Sequence, residues 1–265
     1  MKKKTIGIIA VSVLGAAAIF CSAMFTHQYL DAKNSKAAFD DLTNLITEID
    51  EPQKDAGTEE ESGLSAEELA AAEAALAREK YAALFAQNND FIGWIRIDGT
   101  NVNYPVMQTP NKPDFYLKCS FDKSYSDYGV PYIDEACMTG ISNNLVIYGH
   151  HIKGGKMFGA LEDYKAESFY EKHKTIQFDT LTEQAEYEIV AVFKTVAYSS
   201  EGFRYYDFVN AENEEAFDSY IAKCKELALY DTGVSAEYGD RLITLSTCEY
   251  SAQNGRLVVV AKKVS

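Results

Sequence analysis

From Phe91 onward the apolar residues of this chain fall into eight short runs, and that spacing limits the fold more than any other feature. The runs are Gly93 to Ile97, Val102 to Val106, Val130 to Ile133, Leu145 to Tyr148, Thr175 to Phe178, Ala185 to Val196, Leu242 to Thr247 and Leu257 to Lys262. They alternate or are β-branched, and turn residues separate most of them, so they read as strands. Many short strands with turn chemistry predict a sandwich or a closed barrel. One helix interrupts the series. From Asn210, a good N-cap residue, Phe217, Ile221, Cys224 and Ala228 follow helical spacing with charged residues on the other face.

Upstream the pattern is helical. Lys2, Lys3 and Lys4 precede an uncharged apolar stretch from about Ile6 to Phe25, long enough to cross a bilayer as a helix. By the positive-inside rule the N-terminus stays cytoplasmic and the rest lies outside. The run exceeds the length of a signal-peptide core and favours an uncleaved anchor. Small residues around Ala16 and Ser22 leave a cleaved signal peptide as the alternative. Asp31 to Ile49 carries a weaker helical pattern, and the tract Glu48 to Glu61 has the composition of a solvated acidic spacer. Ser65-Ala66-Glu67-Glu68 matches a capping box that opens an Ala-rich helix running to about Gln87. The expected organisation is a tip and membrane anchor over 1–28, a spacer over 29–64 and a catalytic domain over 65–265.

A formal net charge of −15 argues against nucleic acid, whose phosphates require clustered Lys and Arg. Five cysteines are too few for a disulfide framework. A Cys119–Cys137 bridge is open on spacing, as is the reading of both as buried thiols. Cys224 lies on the apolar face of the predicted helix and reads as core.

Two of the strand runs carry chemistry. Cys248 ends one and Arg256 begins the next, with Asn254-Gly255 between them as a turn signal. Paired as a hairpin, they place a thiol beside a guanidinium, the setting of a candidate nucleophile. Alternation puts Cys248 with Ser246, Thr244 and Leu242 on one face, open to a cleft, and Ile243 and Leu245 on the core face. The same alternation puts Val146, Tyr148 and His150 on one face and His151 on the other. Adjacent histidines that point apart make a poor zinc site, since metal ligands converge. Cys, His and Arg together divide the work of acyl transfer: thiolate attack, proton transfer and hydrogen bonds to an oxyanion. None of these steps needs a cofactor. Taken alone, Cys248 would read as a small buried hydrophobe and Arg256 as a solvated strand-end charge.

Several motifs together resemble the sortases: Leu245-Ser246-Thr247-Cys248 with Arg256, Tyr148-Gly149-His150 followed by Met157-Phe158-Gly159-Ala160-Leu161, and Gly93-Trp94-Ile95 with Tyr104-Pro105-Val106. The likeness runs from about Tyr81 to Ser265. It is nearest to class B, because the helix from Asn210 falls in the long insertion before the Cys-bearing strand. The resemblance implies a mainly β fold with flanking helices, built on a closed eight-stranded β-barrel with N-terminal helices. It also implies a membrane-anchored cysteine transpeptidase of a Gram-positive cell surface. Such an enzyme cuts an Asn-Pro-x-Thr-like sorting motif after Thr, holds a thioester, and passes the acyl group to a cell-wall precursor amine of the lipid II type. Carried over by motif, Cys248 is the nucleophile, His150 the general acid and base, and Arg256 the oxyanion stabiliser. Tyr148, Ser246 and Glu249 are expected to line the substrate groove, as are Leu117, Tyr205 and Tyr206. The competing readings are an extracytoplasmic cysteine protease and a non-catalytic tethered surface domain.

Overall fold

The computed structural model describes residues 2–50 and 66–265. Ser65 of the capping box, and the acidic tract from Glu51 onward, lie outside the described residues. Two helices lead in, α1 (Lys2–Asp50) and α2 (Ala66–Gln87). Ten strands follow: β1 (Phe91–Arg96), β2 (Asn103–Met107), β3 (Tyr132–Ile133), β4 (Asn144–Tyr148), β5 (His151–Ile152), β6 (Lys156–Met157), β7 (Thr175–Thr180), β8 (Glu186–Val196), β9 (Leu242–Cys248) and β10 (Gly255–Lys263). A short helix α3 (Glu167–Tyr170) precedes β7, and α4 (Glu214–Leu227) joins β8 to β9.

Eight strands close a barrel in the order β1-β2-β3-β4-β9-β10-β8-β7, each one of the runs read from sequence. Most neighbours are antiparallel, but β2 and β3 run parallel, joined at Met107 and Tyr132, and so do β4 and β9. Parallel neighbours need a long crossover, and the segment from β5 through α4 supplies it for β4 and β9. The sequence reading missed the two-residue strands β5 and β6, which pair only with each other. Runs that short carry no periodicity.

The core accounts for the composition of β9 and β10. Leu257, Val258, Val259, Val260 and Ala261 are all fully buried, and an uninterrupted apolar run is what a strand covered on both faces requires. Strand β9 departs from the alternation read in the sequence. Leu242 and Thr244 are as buried as Ile243 and Leu245, so the first face is not open along its length. The β8–β9 connection covers it: Tyr220 of α4 meets Thr244 at 3.3 Å, and Tyr205 meets Ser246. Only the Cys248 end opens to a cleft.

Helix α4 begins later than its first good cap. Asn213 accepts the Ala216 N–H at 2.9 Å and is the N-cap. Asn210 instead accepts the Asn143 N–H, which ties the connection to the start of β4. Phe217, Tyr220, Ile221 and Cys224 form its buried face.

The stretch 29–64 is not spacer from its start. Helix α1 runs unbroken to Asp50 and packs on the barrel, with Phe39, Leu42 and Ile46 buried and Phe39 edge-on to Tyr104 at 5.1 Å. Helix α2 packs through Ala77, Tyr81 and Leu84, and Tyr81 donates to Asp179 of β7 at 2.6 Å. All five cysteines are free. Cys137 sits buried between the Asn144 carbonyl and the Val146 N–H, and burial pushes its thiol up to about 12. Burial does the same to Cys224. Both are core thiols.

Candidate active site

Strands β9 and β10 form the hairpin read from the sequence, and Cys248 lies directly opposite Arg256. The adjoining ladder bond runs from the Glu249 N–H to the Gly255 carbonyl, which makes Cys248 and Arg256 a non-hydrogen-bonded pair. Facing side chains come closest in such pairs. The turn that sets this register uses its two residues differently. Asn254 takes the left-handed conformation, at φ 56°, which Asn tolerates. Gly255 serves close approach: a Cβ there would lie 2.3 Å from the Glu249 carbonyl oxygen. Nη1 of Arg256 donates to the carbonyls of Asn254 and Gly255 at 3.3 and 3.0 Å. The guanidinium lies 5.9 Å from the exposed ring of Tyr198. Its remaining donors belong to a rigid planar fork.

The parallel ladder brings the histidine. Tyr148 of β4 pairs with Ser246 of β9, and two residues beyond each lie His150 and Cys248. The Gly149 N–H donates to the Ser246 carbonyl and the Thr247 hydroxyl to the Gly149 carbonyl, so the short step to His150 is fixed from both sides. His150 Nε2 lies 2.7 Å from the Leu117 carbonyl. His151 points elsewhere, as strand alternation requires. Its Nδ1 lies 2.9 Å from the Cys248 carbonyl, and its ring packs on Tyr250 at 5.0 Å. The doublet therefore contacts the β9 terminus on the backbone side and the cleft on the other. Among the described residues no three His, Cys, Asp or Glu side chains converge as a metal set.

His150, Cys248 and Arg256 share one cavity of about 450 Å³. Five of the six residues expected to line a substrate groove are on its wall: Leu117, Tyr148, Tyr205, Tyr206 and Ser246. Ser246 and Tyr205 exchange a buried 2.5 Å hydrogen bond. Burial pushes the Tyr205 phenol up to about 12, against the pull of the Ser246 bond and the Arg256 charge. Burial also raises the pKa of Tyr148, which donates to Asp134 at 2.8 Å. Both phenols are neutral at physiological pH.

Glu249 is not on that wall. Its side chain is 5% exposed and meets Lys165 at 2.5 Å, while Ser251 donates to its other oxygen through both N–H and hydroxyl. Burial opposes its ionisation, but these bonds outweigh that and hold the carboxyl at about 2. Its contacts brace the hairpin turn.

Gly149 and Thr247 of the quoted motifs are also on the wall, and sequence reasoning did not find Asp114, Tyr132, Asp134, Glu135, Ala197 and Tyr198. Tyr132 donates to Asp114 at 2.6 Å and packs on Tyr148 at 5.5 Å, so two Tyr–Asp pairs stand side by side. Strand β3, which carries Tyr132, pairs with Tyr148 itself. A polar residue close behind a short strand run was the only signal available.

The chain is similar to known proteins over most of its length. The Sortase domain family matches residues 95–264. Sortase B of Staphylococcus aureus is 35% identical over 188 residues, covering 70% of this chain and 75% of that protein. Sortase B of Listeria monocytogenes is 32% identical over 181 residues, covering 67% and 71%. Among solved structures, a Staphylococcus aureus sortase B–substrate complex superposes with a TM-score of 0.73 at 28% identity, covering 89% of this chain and 99% of that one. A sortase B complexed with triglycine gives 0.72 at 29% identity, covering 88% and 99%.

Proposed function

This chain belongs to the sortase family, as a class B-type cysteine transpeptidase with the closed barrel of that class, and from that premise we propose that Cys248, His150 and Arg256 carry its acyl transfer. Their convergence on one cavity is the observation that supports the reading. The one proton shared by Cys248 and His150 rests on His150 as Cys248 Sγ attacks the Thr carbonyl of an Asn-Pro-x-Thr-like sorting motif, and the C–N electron pair leaves with the amine. His150 donates the proton that the leaving amine needs. Arg256 donates hydrogen bonds to the tetrahedral oxyanion. An amine of a lipid II-type cell-wall precursor then attacks the thioester and yields its proton to His150. A new amide forms and the thiol is restored.

Tyr148, Ser246, Leu117, Tyr205 and Tyr206 form the peptide groove in this reading, and Glu249 acts by bracing the turn beneath it. A sortase B solved with triglycine is consistent with an amine-bearing acceptor. Helix α1 anchors the enzyme in the cell membrane with its N-terminus cytoplasmic and the barrel outside. It is long and apolar enough to span by length and composition, and Val13, Leu14, Ile19, Phe20 and Phe25 are all exposed.

The test is thioester capture. Incubation with a sorting peptide should yield an acyl-enzyme by mass spectrometry, and Cys248→Ala should abolish it while the fold survives. Turnover retained in that variant would sink the proposal. Added amine should give an amide adduct; hydrolysis products alone would mark a protease instead.

A further inference from the structure

We infer that the loop 118–128 is the face of the catalytic domain that rests on the lipid bilayer, with Tyr125 and Lys123 at the headgroup layer; this rests on α1 being the membrane anchor.

The inference starts from how α1 leaves the barrel. Its last contacts on the N-terminal side are to this loop. Asp31 accepts the Ser126 hydroxyl at 3.0 Å and the Asp127 N–H at 2.9 Å. Ser35 meets Ser126 again at 3.3 Å, with Ser126 1% exposed. Because α1 is one unbroken helix, the loop and the apolar segment are joined with no hinge of non-helical backbone between them.

Distance then fixes the loop's level. Phe25 ends the uncharged apolar run, and the six residues from it to Asp31 span about 9 Å at 1.5 Å per residue. A bilayer about 40–45 Å thick with a core of about 30 Å has a headgroup layer of roughly 5–8 Å on each side. A loop latched at Asp31 therefore starts at the outer edge of that layer, within reach of a tyrosine or lysine side chain.

The loop has the chemistry of an interface. Tyr125 is 65% exposed, and Tyr is a residue that settles at the membrane–water boundary. Lys118 and Lys123 balance Asp122 and Asp127, so the loop is neutral in a chain of net charge −15. Lys118 is engaged by Asp127 at 2.9 Å and Lys123 by Asp90 at 2.9 Å, yet both remain substantially exposed. On α1 itself, Tyr29 and Leu30 are exposed at the same level.

The loop begins one residue after Leu117, whose carbonyl meets His150. The bilayer surface and the catalytic cavity are thus neighbours, which suits a lipid-tethered acceptor.

The full-length chain would be reconstituted into phosphatidylcholine–phosphatidylglycerol vesicles with lipids brominated near the headgroup. Three tryptophan variants would be compared. Tyr125→Trp reports the loop, Phe25→Trp reports the anchor, and Tyr238→Trp reports the opposite end of β9 from Cys248. The native Trp94 is buried and supplies a constant background. We expect quenching of Phe25→Trp and Tyr125→Trp, by roughly twofold or more, with Tyr238→Trp unaffected. Quenching at Phe25→Trp alone would overturn this inference and leave the anchor standing. No quenching at Phe25→Trp would overturn the anchor and this inference with it.

Discussion

Cys248 and Arg256 face each other across the β9–β10 hairpin as a non-hydrogen-bonded pair, the closest approach that two cross-strand side chains have in an antiparallel ladder. The proposed nucleophile and the proposed oxyanion donor are therefore held by backbone register. Substituting either changes chemistry and leaves the register in place, since Gly255 and Asn254 set the turn.

Arg256→Lys keeps a positive charge but loses the planar fork. We expect kcat/KM for a sorting peptide to fall by about 10²–10³, the usual cost of a lost oxyanion donor, with an unchanged thermal midpoint. A loss below about threefold would remove Arg256 from that role.

Gly149 precedes His150 against the face of Phe158, where an added Cβ would lie 2.6 Å from ring carbons. Phe158 is fully buried, so the ring has little room to retreat. Gly149→Ala should cost about 1–3 kcal/mol of stability and lower kcat by displacing His150. Urea denaturation measures the first and single-turnover acylation the second.

Tyr205→Phe leaves the buried Ser246 hydroxyl without its 2.5 Å partner. The expected loss is about 1–2 kcal/mol. Adding Ser246→Ala should recover part of it, since no buried polar group is then orphaned. Full additivity of the two substitutions in chemical denaturation would show that the bond contributes nothing.

Glu249 gives the fold an acid-sensitive element. Its folded pKa is depressed from 4.5 to about 2, so the stabilisation is present above about pH 4.5 and is lost as pH falls toward 2. Screening around Lys165, whose side chain is 29% exposed, limits the effect to about 1–2 kcal/mol. Glu249→Gln should flatten the stability–pH profile across that window. An unchanged profile would refute the depressed carboxyl.

The strand runs were legible because each barrel strand buries a short apolar stretch, and the hairpin was legible because Asn254-Gly255 marks its turn. The covered face of β9 was not. Thr244 reads as a cleft residue by alternation, and only the connection folding back from β8 places Tyr220 over it, while Ser246 stays on the cavity wall beneath Tyr205. The acidic partners Asp114 and Asp134 were silent for the same reason: their tyrosines come from other strands.

The sequence by itself determined the eight barrel strands, the apolar N-terminal segment, and the thiol–guanidinium pair, all of which follow from local periodicity, length and turn chemistry. Tertiary structure decided what those residues meet. The parallel β4–β9 ladder carries His150 to Cys248 across nearly a hundred residues of chain. Ion pairing turns Glu249 away from the cavity and into the turn. Asp31 reaches back from α1 to the loop that follows Leu117 of the cavity wall. Each is a contact between segments far apart in sequence, and no local pattern encodes which distant partner a side chain will find.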